Sequence, residues 1–359
     1  MYRMTPRSKT AFIAAATIFA LVTVSCSNIG YYAQSIAGGY KVLAGREPIE
    51  EVLVDPKVDD STKDKLKTVV RIRDFATSDM QLPDNDSYRT YVDLKRPFAV
   101  WNVFAAPEFS VEMKEWCFLF VGCVRYRGYF DEADAQAYAN ELRQEGLDVY
   151  VSGIAAYSTI GWFDDPMLNT IIQRDEIRLA GLIFHELSHQ VVFIKGDTAF
   201  NEGFAVTVEF EGVKRWVTKN GTPELLQNYQ ARKTRHTQFV ELVTETRNQL
   251  EALYKQKMPV DVMRTQKVAI IEKMQQTYQQ LKSSWNGFAG YDRWFSKPIN
   301  NAQISAVTTY RDYVPAFQNL LAQKNHDMAA FYRSVEEMGD LDASERQQAI
   351  ERLLQTPAE

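Results

Sequence analysis

The sequence predicts an α+β protein in which a small N-terminal β-sheet region is followed by a mostly helical part. Short runs rich in β-branched and aromatic residues are concentrated between residues 98 and 154, and such runs favour strands. From residue 173 onward, apolar residues recur at helical spacing. We therefore expect one domain over residues 61–359, with an α/β part over 61–165 and a helical part over 166–359.

The elements of the α/β part follow from local patterns. Apolar residues at Leu66, Val69 and Phe75 indicate an amphipathic helix over residues 61–75. Asp131 and Gly146 are suited to begin and end a second helix. We expect strands over residues 98–104, a strand pair within 116–129, and a further strand over 148–154.

The helical part is predicted from longer periodic segments. Two helices, over residues 173–194 and 200–219, are separated by a turn at Lys195-Gly196-Asp197, with Thr198 as a plausible N-cap. The remaining expected elements are long helices over 223–257 and 260–283, a strand or loop over 300–310, and two or three helices over 315–354.

One motif in the first of these helices carries the chemistry. His185-Glu186-Leu187-Ser188-His189 follows an apolar run, and its two histidines at positions i and i+4 lie on one face of a helix. That spacing lets both imidazoles bind one zinc ion, while the intervening Glu186 is placed to act as a general base.

Glu202 is the expected third ligand. Twelve residues separate it from His189, enough for a helix end, a short loop and an antiparallel return. Three protein ligands leave one coordination position open, which is typical of catalytic rather than structural zinc sites. The alternative is a pair of buried structural histidines with an ion-paired glutamate, although two of the chain's four histidines have this spacing.

Beyond this motif, the sequence resembles a bacterial family assigned as zinc aminopeptidases, generally lipoproteins with a gluzincin-type site. The resemblance covers nearly the whole chain and is carried by the motif and by residues 82–89, 100–109, 126–130, 156–166 and 195–198. It implies a zincin-like metallopeptidase fold, a zinc cofactor and a peptide substrate.

The resemblance and the chemistry suggest further site residues. Tyr157 is our first candidate to donate a hydrogen bond to a developing oxyanion, ahead of Tyr310 and His236. Glu108 is placed rather like the glutamate with which better-known zinc aminopeptidases bind the substrate α-ammonium group; the rivals are Asp164 and Asp165. Asp197 and Glu209 are candidates to orient the ligand imidazoles.

Residues 1–25 have the pattern of a lipoprotein signal peptide, followed by an N-terminal tether over 26–60 in which we expect a short helix and then a polar linker. Basic residues precede an apolar stretch over residues 11–24, which is short for a membrane span. Cleavage would leave Cys26 as the lipidated N-terminus. Thr23 stands where such signals usually have Leu, so ordinary cleavage nearby and an uncleaved anchor are alternatives.

The remaining cysteines, Cys117 and Cys123, form an even pair in an exported chain, which favours a disulfide over two buried free thiols. Both are flanked by apolar residues, an environment unsuited to a reactive thiolate. Because Ser27 rather than Asp follows Cys26, sorting rules favour the outer membrane, facing the periplasm.

The sequence thus predicts a membrane-anchored zinc peptidase of the bacterial cell envelope, with an aminopeptidase favoured. An envelope endopeptidase and a non-catalytic lipoprotein scaffold are the alternatives, and Glu186 argues against the scaffold because a scaffold needs no general base. Expected partners are a peptide and membrane lipid. A net charge of −5 with no basic patch predicts no nucleic-acid binding. No oligomeric state is predicted.

Overall fold

The computed structural model describes residues 30–118, 122–156, 163–307 and 313–355. The signal peptide over 1–25, Cys26, Tyr157 and Tyr310 lie outside these residues. The helices of the first half are α1 (residues 30–44), α2 (Ile49–Val54), α3 (Asp60–Ser78) and α4 (Glu132–Gln144). The strands are β1 (Glu47–Pro48), β2 (Thr90–Val92), β3 (Val100–Pro107), β4 (Trp116–Phe118), β5 (Gly122–Val124), β6 (Arg127–Tyr129), β7 (Leu147–Ile154) and β8 (Met167–Leu168).

From Asn169 onward, helices are the only regular elements among the described residues. They are α5 (Asn169–Ile172), α6 (Glu176–Ser188), α7 (Thr198–Asn220), α8 (Pro223–Tyr254), α9 (Val260–Ser284), α10 (Asp292–Phe295), α11 (Asn301–Val307), α12 (Val314–Gln323), α13 (Met328–Gly339) and α14 (Ala343–Gln355). The α+β class expected from the sequence is therefore observed, with small sheets and a predominance of helix. Within the described residues, none of the helices has the length and apolar character needed to cross a bilayer.

The largest strand pairing is antiparallel, between β3 and β7, and it runs from Val100 opposite Ile154 to Pro107 opposite Leu147. β6 pairs with the other edge of β3. Helix α4 covers this sheet, beginning at Asp131, whose side chain accepts hydrogen bonds from the first-turn amides. Asp131 is thus the N-cap that the sequence predicts.

Two short sheets complete the strand inventory of the described residues. β2 lies between β1 and β8. β4 and β5 form an antiparallel ribbon in which Cys117 is opposite Cys123, and their sulfur atoms form a disulfide. The two cysteines are therefore a bonded pair in this structure, not free thiols.

Two predicted elements need correction. Residues 30–54 are folded against the domain and are not part of a tether: β1 pairs with β2, and Val42, Ile49 and Val52 are buried. Residues 301–307 are helical rather than a strand or loop. The Asn301 side chain donates to the carbonyl oxygens of Pro107 and Glu108, so contacts distant in sequence decide this local structure.

Two helical layers surround the region of the motif. Helices α3, α6, α7, α12 and α13 share the main apolar core, in which Phe75 of α3 packs edge-on against Trp216 of α7 with ring centroids 5.1 Å apart. Helices α8 and α9 form the long pair that the sequence predicts, with α10 and α11 packed against them. An ion pair connects α9 to the sheet, because the Lys267 ammonium on α9 lies 2.7 Å from the Asp148 carboxylate on β7.

A buried arginine organises the loop that precedes β2. Arg73 of α3 is fully buried, and its guanidinium donates hydrogen bonds to the carbonyl oxygens of Pro83, Asn85 and Ser87. The side chains of Asn85 and Ser87 in turn bond the Gln190 side chain, directly after the motif. Arg73 therefore ties α3 to the end of the motif through one polar network.

We predict that Arg73→Met will lower the free energy of unfolding by about 3 kcal/mol or more, because it leaves buried carbonyl oxygens without donors. Denaturant unfolding followed by circular dichroism measures this change. The matched control is Lys67→Met on the same helix, whose side chain is 63% exposed and forms a surface ion pair with Asp64; its effect should stay within about 0.5 kcal/mol. Equal destabilisation by the two substitutions would show that the network does not support the fold.

Candidate metal centre

Helix α6 presents the motif because its other face is apolar and buried. Asp175 caps its first turn by accepting a hydrogen bond from the Arg178 amide. The buried side includes Ala180, Ile183 and Leu187. The opposite side carries His185 and His189, whose side chains are only 18% and 8% exposed.

Helix α6 is shorter than the sequence suggests, and the longer connection that follows it is closed by one side chain. The helix ends at Ser188, with His189 as its C-cap residue, rather than continuing to residue 194. The Asn201 amide accepts from the backbone N–H of Ile194 and donates to its carbonyl oxygen, both at 2.8 Å. Asp197, not Thr198, caps α7. The two hydrogen bonds between Asn201 and Ile194, which we call the Asn201 clamp, fix where α7 begins and therefore where Glu202 lies.

Helices α6 and α7 run antiparallel, since Gly181 faces Val213 while His189 faces Glu202. They approach closely at two glycines. A Cβ atom on Gly212 would lie 2.4 Å from the Phe184 ring, and one on Gly181 would lie 3.2 Å from a carboxylate oxygen of Glu209. A larger residue at either position would therefore crowd the side chain of the facing helix and push the two helices apart.

This packing brings the three predicted ligands together. The Nε2 atom of His185 lies 3.4 Å from one carboxylate oxygen of Glu202, and the Nε2 atom of His189 lies 3.6 Å from the other. The three candidate ligand atoms are all within 4.8 Å of one another, and the group can hold a metal ion.

Glu209 lies beside the cluster and orients one ligand. Its carboxylate is 3.3 Å from Nδ1 of His185, which leaves Nε2 directed toward Glu202. The Nδ1 atom of His189 is buried and has no hydrogen-bond partner among the described residues; its ring packs edge-on against that of His185, with centroids 5.0 Å apart. Asp197, the other candidate for this role, caps α7 and bonds Arg346 instead.

The electrostatics of the cluster favour a positive charge between the helices. Burial lowers the pKa of His185, but the hydrogen bonds with Glu202 and Glu209 and the charge of Glu186 outweigh it and raise that pKa to about 10. Burial and the neighbouring His185 lower the pKa of His189 to about 4. Carboxylates converging on paired imidazoles form a donor set that also suits a divalent cation.

Glu186 is half-buried and has a tyrosine neighbour that sequence analysis did not identify. Tyr88 is 3% exposed, and its pKa is raised well above the usual value by burial and by the charges of Glu186 and Asp165. The only available signal was its location in the family-like segment 82–89. The loop held by Arg73 thus places a buried phenol near the predicted general base.

A cavity of about 400 Å³ opens beside His185 and Glu186. Helices α6, α7 and α8 supply most of its walls. His236, predicted only as the last oxyanion candidate, lines this cavity, and its Nδ1 is 3.0 Å from the hydroxyl of Tyr291. The basic residues of α8 that face the cavity were not predicted, because nothing local in the sequence marks them as close to the motif.

Glu108 is not brought to the metal centre. Its carboxylate forms a two-pronged ion pair with Arg264 of α9, with donor–acceptor distances of 2.7 and 3.1 Å. It is absent from the described residues that line the cavity. Of its rivals, Asp165 is buried near Tyr88, whereas Asp164 accepts from Arg46 through its backbone carbonyl. In this structure the partner of Glu108 is therefore an arginine of the fold, and its role toward a substrate amine stays a prediction.

Comparison with known proteins places this geometry in a family. The family model described as "Putative aminopeptidase" matches residues 30–350, which include the metal cluster, Glu186 and the cavity. No curated protein and no solved structure gives a significant match. Because the family match extends over most of the chain, the protein belongs to the putative aminopeptidase family.

Proposed function

We propose that the protein is a zinc-dependent aminopeptidase in which Glu186 is the general base. The observation that carries the proposal is the convergence of His185, His189 and Glu202 within 4.8 Å, with Glu186 on the same helix at the mouth of a cavity. Membership of an aminopeptidase family supports the choice of peptide hydrolysis.

The donor set fits zinc. Two ligand atoms bound tetrahedrally at zinc distances of roughly 2.0–2.1 Å would be about 3.3–3.5 Å apart. The two His–Glu separations, 3.4 and 3.6 Å, are close to that spacing. Neutral imidazole nitrogen and carboxylate oxygen are usual zinc donors, and the contact between Glu209 and His185 supplies the outer hydrogen bond that such ligands usually have.

Zinc held by these three side chains would supply a Lewis acid that polarises the scissile carbonyl and makes water a better nucleophile. Glu186 would accept the proton of the attacking water and pass it to the departing amine. Glu209 would keep the His185 ring in the orientation that presents Nε2. Tyr88, buried near Glu186, would limit the access of bulk water on that side.

An endopeptidase is the second candidate, and one observation favours it. The acid expected to bind the substrate α-ammonium group, Glu108, is engaged by Arg264. The deciding experiment therefore has to compare peptides with a free amine and peptides with a blocked amine.

We also propose that the protein is anchored to the bacterial envelope through a lipidated Cys26, on the outer membrane and facing the periplasm. The support is the leader pattern of residues 1–25 and the identity of Ser27. Two or more acyl chains on one cysteine would suffice for stable anchoring.

We predict that Glu186→Gln will lower kcat by roughly 10²- to 10⁴-fold, because the substitution removes the proton acceptor but not a ligand. Amino-acyl fluorogenic substrates with free and acetylated amines provide the assay, alongside zinc content by elemental analysis. Glu272→Gln, at an exposed site on α9, is the control. Unchanged activity in a zinc-loaded Glu186→Gln protein would contradict the role of Glu186 as general base. No activity in the zinc-loaded wild type would favour a non-catalytic scaffold, and cleavage of blocked substrates would favour an endopeptidase.

We predict that Glu209→Ala will weaken zinc binding by about 10- to 100-fold, because the His185 ring loses the hydrogen bond that orients it. Competition with a chromophoric chelator measures the affinity. Glu272→Ala tests for a general effect of removing one negative charge and should leave the affinity unchanged. If Glu209→Ala bound zinc as tightly as the wild type, Glu209 would have no role at the metal centre.

A further inference from the structure

We infer that the cavity beside His185 receives a carboxylate of the substrate, so that the preferred substrates are short peptides with a negative charge close to the scissile bond. This inference rests on the proposed peptidase function and specifies its substrate class. The carboxylate would come from the C-terminus of the peptide or from an acidic side chain, and both present the same chemistry to the cavity.

The cavity walls carry an excess of positive charge. Two carboxylates line it, Glu186 and Glu209, and both already have tasks at the metal centre. The basic side chains that line it, apart from the histidines, are Arg174, Arg178, Arg232 and Lys233. A cationic cleft next to the reacting groups of a chain with net charge −5 selects for an anionic ligand.

The neighbouring acid does not balance these charges. Arg178 and Arg232 share a single carboxylate oxygen of Asp175, at 3.2 and 3.1 Å. Lys233 lies over the ring of Phe210, with its ammonium 3.7 Å from the centroid. One carboxylate thus serves two guanidinium groups, and the cavity lining together with Asp175 contains four basic side chains against three carboxylates.

Arg174 is the group we assign to the substrate carboxylate. It is half-buried and forms no close ion pair with a described residue, although the carboxylates of Asp175, Glu186 and Glu209 act on its charge from a longer distance. Burial lowers its pKa, although an arginine retains its charge in proteins. A partly desolvated guanidinium prefers a planar anion that accepts two parallel hydrogen bonds, and a carboxylate has that geometry.

The size of the cavity agrees with a short peptide segment. Its volume of about 400 Å³ is near the lower end of the range for small-molecule sites. Ile177, Leu182 and Phe210 give it apolar surface beside the charged groups. The cavity would therefore hold a residue or two of substrate, with the aliphatic portion on the apolar wall and the carboxylate at Arg174.

The test compares matched acid and neutral substrates in the zinc-loaded wild type and in Arg174→Gln. Ala-Ala is compared with Ala-Ala-amide, and Ala-Asp-amide with Ala-Asn-amide. We expect the acid member of at least one pair to have a kcat/KM about tenfold or more above its neutral partner, and Arg174→Gln to bring that ratio close to one. A preference within the first pair would identify the C-terminal carboxylate as the group bound, and a preference within the second pair would identify an acidic side chain.

Because each ratio compares two substrates on one protein sample, a loss of folded or zinc-loaded protein cancels. Arg174→Lys should restore part of the preference, since it retains the charge without the two-pronged geometry. Arg143→Gln, at an exposed site on α4, is the control and should leave the ratios unchanged. Equal rates for acid and neutral peptides in the wild type, or a preference that survives in Arg174→Gln, would overturn the inference.

A binding measurement distinguishes a failure of this inference from a failure of the proposed function. Acetyl-Ala-Ala and its amide are titrated calorimetrically into wild type and Arg174→Gln, without any need for turnover. Stronger binding of the acid that is lost in Arg174→Gln supports the carboxylate site even if no peptide is cleaved, in which case the peptidase proposal alone fails. Equal binding of acid and amide by the wild type rejects the site.

Discussion

The close packing of α6 against α7 is the constraint on which the metal centre depends. Gly181 and Gly212 leave space for the Glu209 carboxylate and the Phe184 ring, respectively. Because the two backbones approach there, histidines from one helix and carboxylates from the other meet without large side-chain movements. The Asn201 clamp on Ile194 then fixes the turn between the helices, so the register of α7 relative to α6 follows from one amide and two glycines.

Groups distant in sequence complete this arrangement. Arg73 is far from the motif in sequence, yet its hydrogen bonds shape the loop that carries Tyr88 and contacts Gln190. Helix α8 brings Arg232 and Lys233 to the opposite side of the cavity. Buried polar networks of this kind specify one geometry because each unsatisfied group would be costly. A buried phenol, Tyr88, thus lies within electrostatic range of Glu186, and cationic side chains line the cavity beside it.

Sequence patterns were informative where the chemistry is local. The helical spacing of His185 and His189, the cap at Asp131 and the pairing of long helices α8 and α9 all depend on residues close together in the chain. The same reasoning expected a short helix after residue 26 but not its packing against the rest of the protein, and it did not find α11, which contacts distant strands. It assigned Glu108 to the substrate because position in a family-like segment does not reveal a partner such as Arg264, 156 residues away. The sequence did not indicate a role for Arg174, because the charge of the cavity is the sum of side chains from three helices that are separated in the chain.

The most direct test of this account is X-ray absorption at the zinc edge on the purified, zinc-loaded protein, with His189→Ala measured in parallel. We expect one zinc ion per chain whose inner shell contains two imidazole nitrogens and carboxylate oxygen at about 2.0–2.2 Å, and the loss of one imidazole, with weaker binding, in His189→Ala. A zinc shell that contains no imidazole, or one that does not change in His189→Ala, would contradict the assignment of the metal centre to α6 and α7.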